Sequence, residues 1–426
     1  MKSNKVEFFN ETIYHEKLDC GIDVYILKNK DKEDAYVTLT TKYGGYNKPF
    51  LCDGKYITVP NGIAHFLEHK VFEQKEGIDP FSFYGKTGTY CNAATNYYNT
   101  TYVFAGNKNF NENLNYLLDF VYEPYFTDEN VLKEKGIIIQ ELKMYEDVPD
   151  RKIYEKILYN LFNTCPIKYS IGGSIEDVKS ITKNDLYNVY NTFYNPSNMF
   201  LVITGNVDEN ECMNIIKENI KNKKFKNVEI KTKDIKEDDK VFKQIDHIKS
   251  NVSIPYVAYG IKIPLKPLNK IDAKKRNLYI TTLFDILFDE TSIFYEEAKG
   301  EGILDIPIYT ESIDTPSHKV IILLFKSNKY KDVLNKIEST LNNIKIDESD
   351  LERKKKVHIS NILYSLDDIS SANKIITNNI VLYNKIHYDI YKIIKSMNID
   401  ELNEIIKLLN LKNHSTVLIT SLDSWL

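Results

Sequence analysis

The chain has 426 residues, a formal net charge of −4 with histidine neutral, and hydrophobic side chains at 42% of positions. That length exceeds one ordinary core, so two or more domains are expected, and the near-balanced charge excludes a global basic field for nucleic acid. The N-terminal stretch has no apolar core of signal-peptide length and no run of roughly eighteen apolar residues exists, so no membrane-spanning segment is expected. The five cysteines, Cys20, Cys52, Cys91, Cys165 and Cys212, are odd in number and lack paired metal spacing. They read as reduced thiols, which points to the cytoplasm.

Residues 6–41 alternate and are rich in β-branched and aromatic side chains, which predicts strands feeding a sheet. A loop over 44–60 leads to Asn61, the expected N-cap of the next helix. That helix carries HFLEHKVFE, residues 65–73. His65 and His69 are four apart and share a helix face. Two imidazoles so placed can take two corners of a tetrahedral Zn²⁺, and Glu68, near the same face, is left free to act as a base. The order His-x-x-Glu-His is the inverted form of the commoner His-Glu-x-x-His; alone, it also fits a helix with two exposed histidines.

A short helix over 79–84 and a strand over 100–105 follow. Residues 111–121 form an amphipathic helix with Leu114, Leu117 and Leu118 as its stripe. Residues 128–145 form the next helix, where Glu134 and Glu141 lie seven apart on one face. Taken by themselves, these are two solvated glutamates. A helix over 150–162, a loop at Gly172–Gly173, a helix capped by Thr182 and an apolar strand over 198–208 complete a first half, that strand reading as the last of its sheet. Residues 217–249 are charged and weakly patterned, as in a linker. The second half repeats the plan. Strands are expected over 251–263, 306–311, 319–326 and 415–420, with helices over 273–289, 292–298, 329–343, 347–366, 373–383 and 399–409. The division is therefore 1–216, 217–249 and 250–426.

Glu141 lies 72 positions after His69. The inverted motif, followed at this distance by a glutamate on a helix with a second glutamate one heptad earlier, resembles the pitrilysin/insulinase-type zinc peptidases, the inverzincins. The resemblance implies Zn²⁺ held by His65, His69 and Glu141, Glu68 as general base, and Glu134 as the carboxylate that orients a ligand histidine. It also implies that Asn92 and Ala93 lie on an edge strand that receives an extended peptide by β-addition. From the residues alone, Asn92 fits a hairpin turn. The implied fold class is α+β: two tandem insulinase-like domains, each a mostly antiparallel sheet packed with helices, forming half of a clamshell. The implied reaction is hydrolysis of peptide bonds in peptides or unfolded segments.

The second half departs from the family pattern. Self-sufficient members place an arginine and a tyrosine there to stabilise the oxyanion. Aligned on Gly302, those positions hold Ala298 and Asp305; Tyr295 and Lys299 are out of register, and Tyr309 is the remaining candidate substitute. The expected partner is therefore a homologous chain without the zinc motif that supplies the arginine and tyrosine in a heterodimer. The alternative is a non-catalytic scaffold, or a peptide-binding or maturation subunit, that keeps its zinc site.

Overall fold

The structure, a computed structural model, describes residues 1–422 apart from 8, 10 and 227. Contacts group the described chain into two units: Met1–Lys143, Tyr169–Asp234 and Ile362–Ile390 form the first, and Met144–Lys168, Ile235–Asn361 and Tyr391–Leu426 the second. Both are α+β.

The first unit is built on strands β1 (Lys2–Val6), β2 (Glu11–Lys17), β3 (Asp23–Lys28), β4 (Ala35–Thr41), β7 (Tyr90–Thr95), β8 (Thr100–Ala105) and β9 (Met199–Gly205), with a separate hairpin of β5 (Phe50–Cys52) and β6 (Lys55–Ile57). The large sheet runs β1-β2-β3-β9-β4-β8-β7. Its neighbours are antiparallel except β3 and β9. The apolar run expected to end the sheet is β9, and it lies instead at the centre. All seven of its residues are buried, as befits a strand covered on both faces, which reads as a continuous apolar run wherever it falls in the chain. β7 stands at one edge.

The second unit carries β10 (Ile245–Lys249), β11 (Tyr256–Pro264), β12 (Tyr309–Asp314), β13 (His318–Lys326) and β14 (His414–Thr420), in the order β10-β14-β11-β13-β12. Again the first pair is parallel and the rest are antiparallel. Five strands of the first sheet, β3-β9-β4-β8-β7, follow the same winding: the fifth strand enters beside the first, then the second, fourth and third. The repeat expected from pattern alone is thus a repeat of topology.

Each sheet is covered by a helix that its own stretch of sequence does not supply. Helices α1 (Ile63–Val71), α2 (Pro80–Gly85), α3 (Phe110–Tyr122) and α4 (Asp128–Glu146) precede α5 (Pro149–Leu161). α5 packs on β11 and β14 in the second unit. Its close approach needs Gly260, where a Cβ would stand 2.8 Å from a methyl of Leu161. In the first unit, β9 and β4 are covered by the late helix Ile369–Tyr383. Asn373 fixes it there. This wholly buried amide donates to the carbonyls of Tyr36 and Val202 and accepts from the Thr38 hydroxyl.

The stretch 217–249 is more structured than a linker. Its ends lie in the helix Glu209–Lys221 and in β10. In between, Glu237 accepts hydrogen bonds from the main-chain N–H groups of Asn163, Thr164 and Cys165 and from the buried Lys262 ammonium at 2.6 Å. Burial alone would raise this carboxyl, but these donors overcome it and hold it down at about 2.

Two outcomes follow. Asn373→Leu keeps the branched heavy-atom shape but strips partners from buried polar groups, costing about 2–3 kcal/mol. Thermal unfolding should begin roughly 5–10 °C lower. Because the folded pKa of Glu237 lies below its ordinary value of 4.5, its contribution is present above that value and is lost as pH falls towards 2. Glu237→Gln should therefore be less stable than wild type at neutral pH and show a shallower fall in melting temperature between pH 4.5 and 2.

Candidate metal centre

α1 begins where two loops touch. Its N-cap is Gly62 at φ +81°, with no side-chain cap, rather than Asn61. A Cβ at Gly62 would lie 2.3 Å from the Gly172 carbonyl oxygen, and one at Gly173 would lie 2.6 Å from that of Asn61. Only glycine fits both the left-handed backbone and the contact. This junction seats α1 with Ile63, Ala64, Phe66, Leu67 and Val71 in the core, so His65, Glu68 and His69 turn to the other side.

α4 buries few residues, chiefly Asn130, Val131 and Ile138. Its glutamates reach α1. Glu141 Oε2 lies 3.8 Å from His65 Nε2 and 3.6 Å from His69 Nε2. Ligand atoms of His65, His69 and Glu141 all fall within 4.8 Å of one another, and no other group of three such residues does so among the described residues. A tetrahedral ion with bonds of about 2.0–2.2 Å sets its ligand atoms about 3.3–3.6 Å apart. Two imidazoles and a carboxylate are donors that zinc accepts, and the two distances from Glu141 to the imidazoles are within tenths of an ångström of that spacing, so the residues present fit the ion.

Glu134, one heptad before Glu141, is 3.0 Å from His69 Nδ1. A carboxylate here accepts, so Nδ1 carries the proton and Nε2 presents its lone pair on the Glu141 side. Burial alone would lower the pKa of His69, but Glu134, then Glu68 and Glu141, raise it above the ordinary range. Glu68 lies within electrostatic reach of His69 and Glu141, and burial pushes its carboxyl above the usual value against the pull of Thr95. Thr95, which the motif did not single out, donates its hydroxyl to Glu68 Oε2 at 2.5 Å. Its signal was the alternation of β7, which turns it to the same face as Ala93.

Asn92 and Ala93 both lie in β7 on the sheet edge, opposite Val103 and Tyr102. The turn reading of Asn92 is overturned: the chain reverses at 96–99, closed by Asn96 N–H on the Asn99 carbonyl. The Asn92 side chain accepts from the Ala93 N–H and donates to the Tyr90 hydroxyl. In the second unit, Ala298 is fully buried and the Tyr295 hydroxyl donates to the Asp305 carbonyl at 3.0 Å, while Tyr309 is exposed. None of the five cysteines is joined in a disulfide. No helix among the described residues is long and apolar enough to cross a membrane.

A model of the insulinase family, peptidase family M16, matches residues 56–174, and one of the M16 inactive domain matches residues 180–357. An uncharacterised zinc protease, YmfH of Bacillus subtilis (strain 168), is 41% identical over 310 residues, 72% of each chain. A probable mitochondrial-processing peptidase subunit beta of Arabidopsis thaliana is 29% identical over 167 residues, 37% of this chain and 30% of its own. An M16-like peptidase structure from Alicyclobacillus acidocaldarius superposes with a TM-score of 0.91 at 30% identity, covering 96% of this chain and 98% of that one. With the inverted motif on α1, the glutamates on α4 and these likenesses over most of its length, the chain belongs to the insulinase family, peptidase family M16.

Proposed function

We propose that this chain is a zinc-dependent metalloendopeptidase that hydrolyses peptide bonds in peptides or unfolded segments. The observation that carries the reading is the meeting of His65, His69 and Glu141 within 4.8 Å beside the carboxylate of Glu68. In this reading, His65, His69 and Glu141 hold Zn²⁺, which supplies Lewis-acid polarisation and acidifies water. Glu68 takes the proton of the attacking water and passes it to the leaving amine. A carboxyl raised by burial suits both halves of that task. Glu134 keeps the His69 tautomer fixed, so that Nε2 stays a ligand. Asn92 and Ala93, on the open edge of β7, receive the extended substrate through main-chain hydrogen bonds.

The reading includes a zinc-bearing half, 1–216, a connecting stretch, 217–249, and a second half, 250–426. That five strands of each sheet share one winding supports two halves, although the first strand of the second sheet, β10, lies in the connecting stretch. It also includes a homologous partner chain. Ala298 and Asp305 occupy the positions of the family's arginine and tyrosine and cannot donate to an oxyanion, so the donors come from a second chain in a heterodimer. A relative whose name marks it as a subunit supports this pairing. The reading places the chain in the cytoplasm, where cysteines outside disulfides are the rule. The same missing donors favour a second reading, in which the chain is a scaffold or a peptide-binding or maturation subunit that retains a zinc site.

The two readings diverge on one substitution. Glu68→Gln should leave zinc stoichiometry unchanged and lower the turnover of fluorogenic peptides by about 10²–10⁴-fold; turnover equal to wild type removes Glu68 from the base role. Glu134→Ala should weaken zinc binding by about 10–100-fold, read by chelator competition. Purified with a homologous zinc-less chain, the zinc-loaded protein should gain about 10²-fold in turnover. Equal rates with and without that chain would rule the heterodimer out.

A further inference from the structure

We propose that Thr95 is a positioning residue for Glu68: its hydroxyl holds the carboxylate in one orientation and couples that orientation to the edge strand β7. The inference rests on Glu68 being the general base. Thr95 is the last residue of β7. Along that strand Cys91, Ala93 and Thr95 turn inward, towards the side on which α1 packs, while Asn92 and Ala94 are exposed. Thr95 thus reaches the base from the strand that carries Asn92 and Ala93.

The geometry is that of a clamp. Thr95 Oγ1 lies 2.5 Å from Glu68 Oε2. An ionised carboxylate only accepts, and a threonine hydroxyl has one proton to give. That proton is committed to Glu68, which makes this a charge-assisted bond, stronger and more directional than a neutral one. Behind Thr95 Oγ1, at 3.3 Å, stands the hydroxyl of Thr100. Thr100 is wholly buried and donates to the Tyr43 carbonyl at 3.0 Å. The buried hydroxyls of Tyr102 and Tyr194, 3.0 Å apart, complete the wall and lie within electrostatic reach of Glu68. Glu68 is therefore backed by fixed hydroxyls. Its side chain has three torsions, and burial alone selects none of them; the Thr95 hydroxyl is the directional contact that does. Because the donor rides on β7, any displacement of that strand moves the contact with it.

Thr95→Val removes the hydroxyl at nearly constant shape, and Thr95→Ser returns it. Both are made in the full chain and assayed with the same zinc-less partner and fluorogenic peptides, and high-resolution crystal structures of each are compared with wild type. Thr95→Val should fold with an unchanged melting temperature and bind zinc at wild-type stoichiometry. Its Glu68 carboxylate should leave the wild-type position or divide between rotamers. Its kcat should fall about 10–100-fold with KM unchanged. Thr95→Ser should restore both the carboxylate position and kcat. A Glu68 carboxylate that stays ordered in its wild-type place in Thr95→Val overturns the proposal, whatever the rates. Equal loss of zinc in both variants also overturns it, since the hydroxyl would then be structural only. A fully active Glu68→Gln enzyme refutes the base assignment instead, a result that the carboxylate position in Thr95→Val does not depend on.

Discussion

The contact between His69 Nδ1 and Glu134 Oε1, 3.0 Å long, is the point at which two helices far apart in the chain become one site. α1 supplies two imidazoles and cannot by itself orient them. α4 supplies a carboxylate that could bind a cation anywhere on a protein surface. Once Glu134 takes the Nδ1 proton, the far nitrogen of His69 faces Glu141, and the heptad spacing of the glutamates places both on the α4 face turned to α1. The rest of the first unit can be read as what keeps that contact in place. The glycine junction at Gly62 and Gly173 sets where α1 starts. The aromatic and leucine core beneath it sets its depth. β7, packed against α1, brings Thr95 to Glu68, the single carboxylate of that helix.

Much of this was legible from residues alone because the informative patterns are local. The helix bearing Glu134 and Glu141 was expected over 128–145 and runs Asp128–Glu146. The strand over 100–105 matches β8, and Thr182 does cap its helix, in a reciprocal box with Asp185. The failures are non-local. β9 was placed last because it comes last in its half, yet pairing put it between β3 and β4. Asn61 has the chemistry of an N-cap, but the neighbouring loop presses so closely that Gly62 takes the position. Thr95 carries no motif of its own; its part is visible only when β7 and α1 are seen side by side. The short helix Ile390–Ser396 is too brief to show a period in the sequence.

One strand winding recurs in both units, while the three clustered ligand residues lie only in the first among the described residues. The helix Glu348–Asp367 occupies the place in its half that α4 occupies in the first. It carries Lys354 and His358, tied to Asp289, Thr291 and Thr282. Its ionisable groups serve packing. Burial and neighbouring cations hold His358 near 4, neutral at physiological pH, and burial raises Asp285 to about 6.

The crossing-over of the covering helices has a consequence for how the polypeptide is made. β4 and β9 are both synthesised by residue 205, but the helix that shields their face is not complete until Tyr383. At roughly 5–20 residues per second on the ribosome, that face waits about ten to thirty seconds for its cover. The first unit cannot close as soon as it emerges. Its assembly is deferred until that helix has been made, so one face of the first sheet's centre stays bare while β10 to β13 are being synthesised.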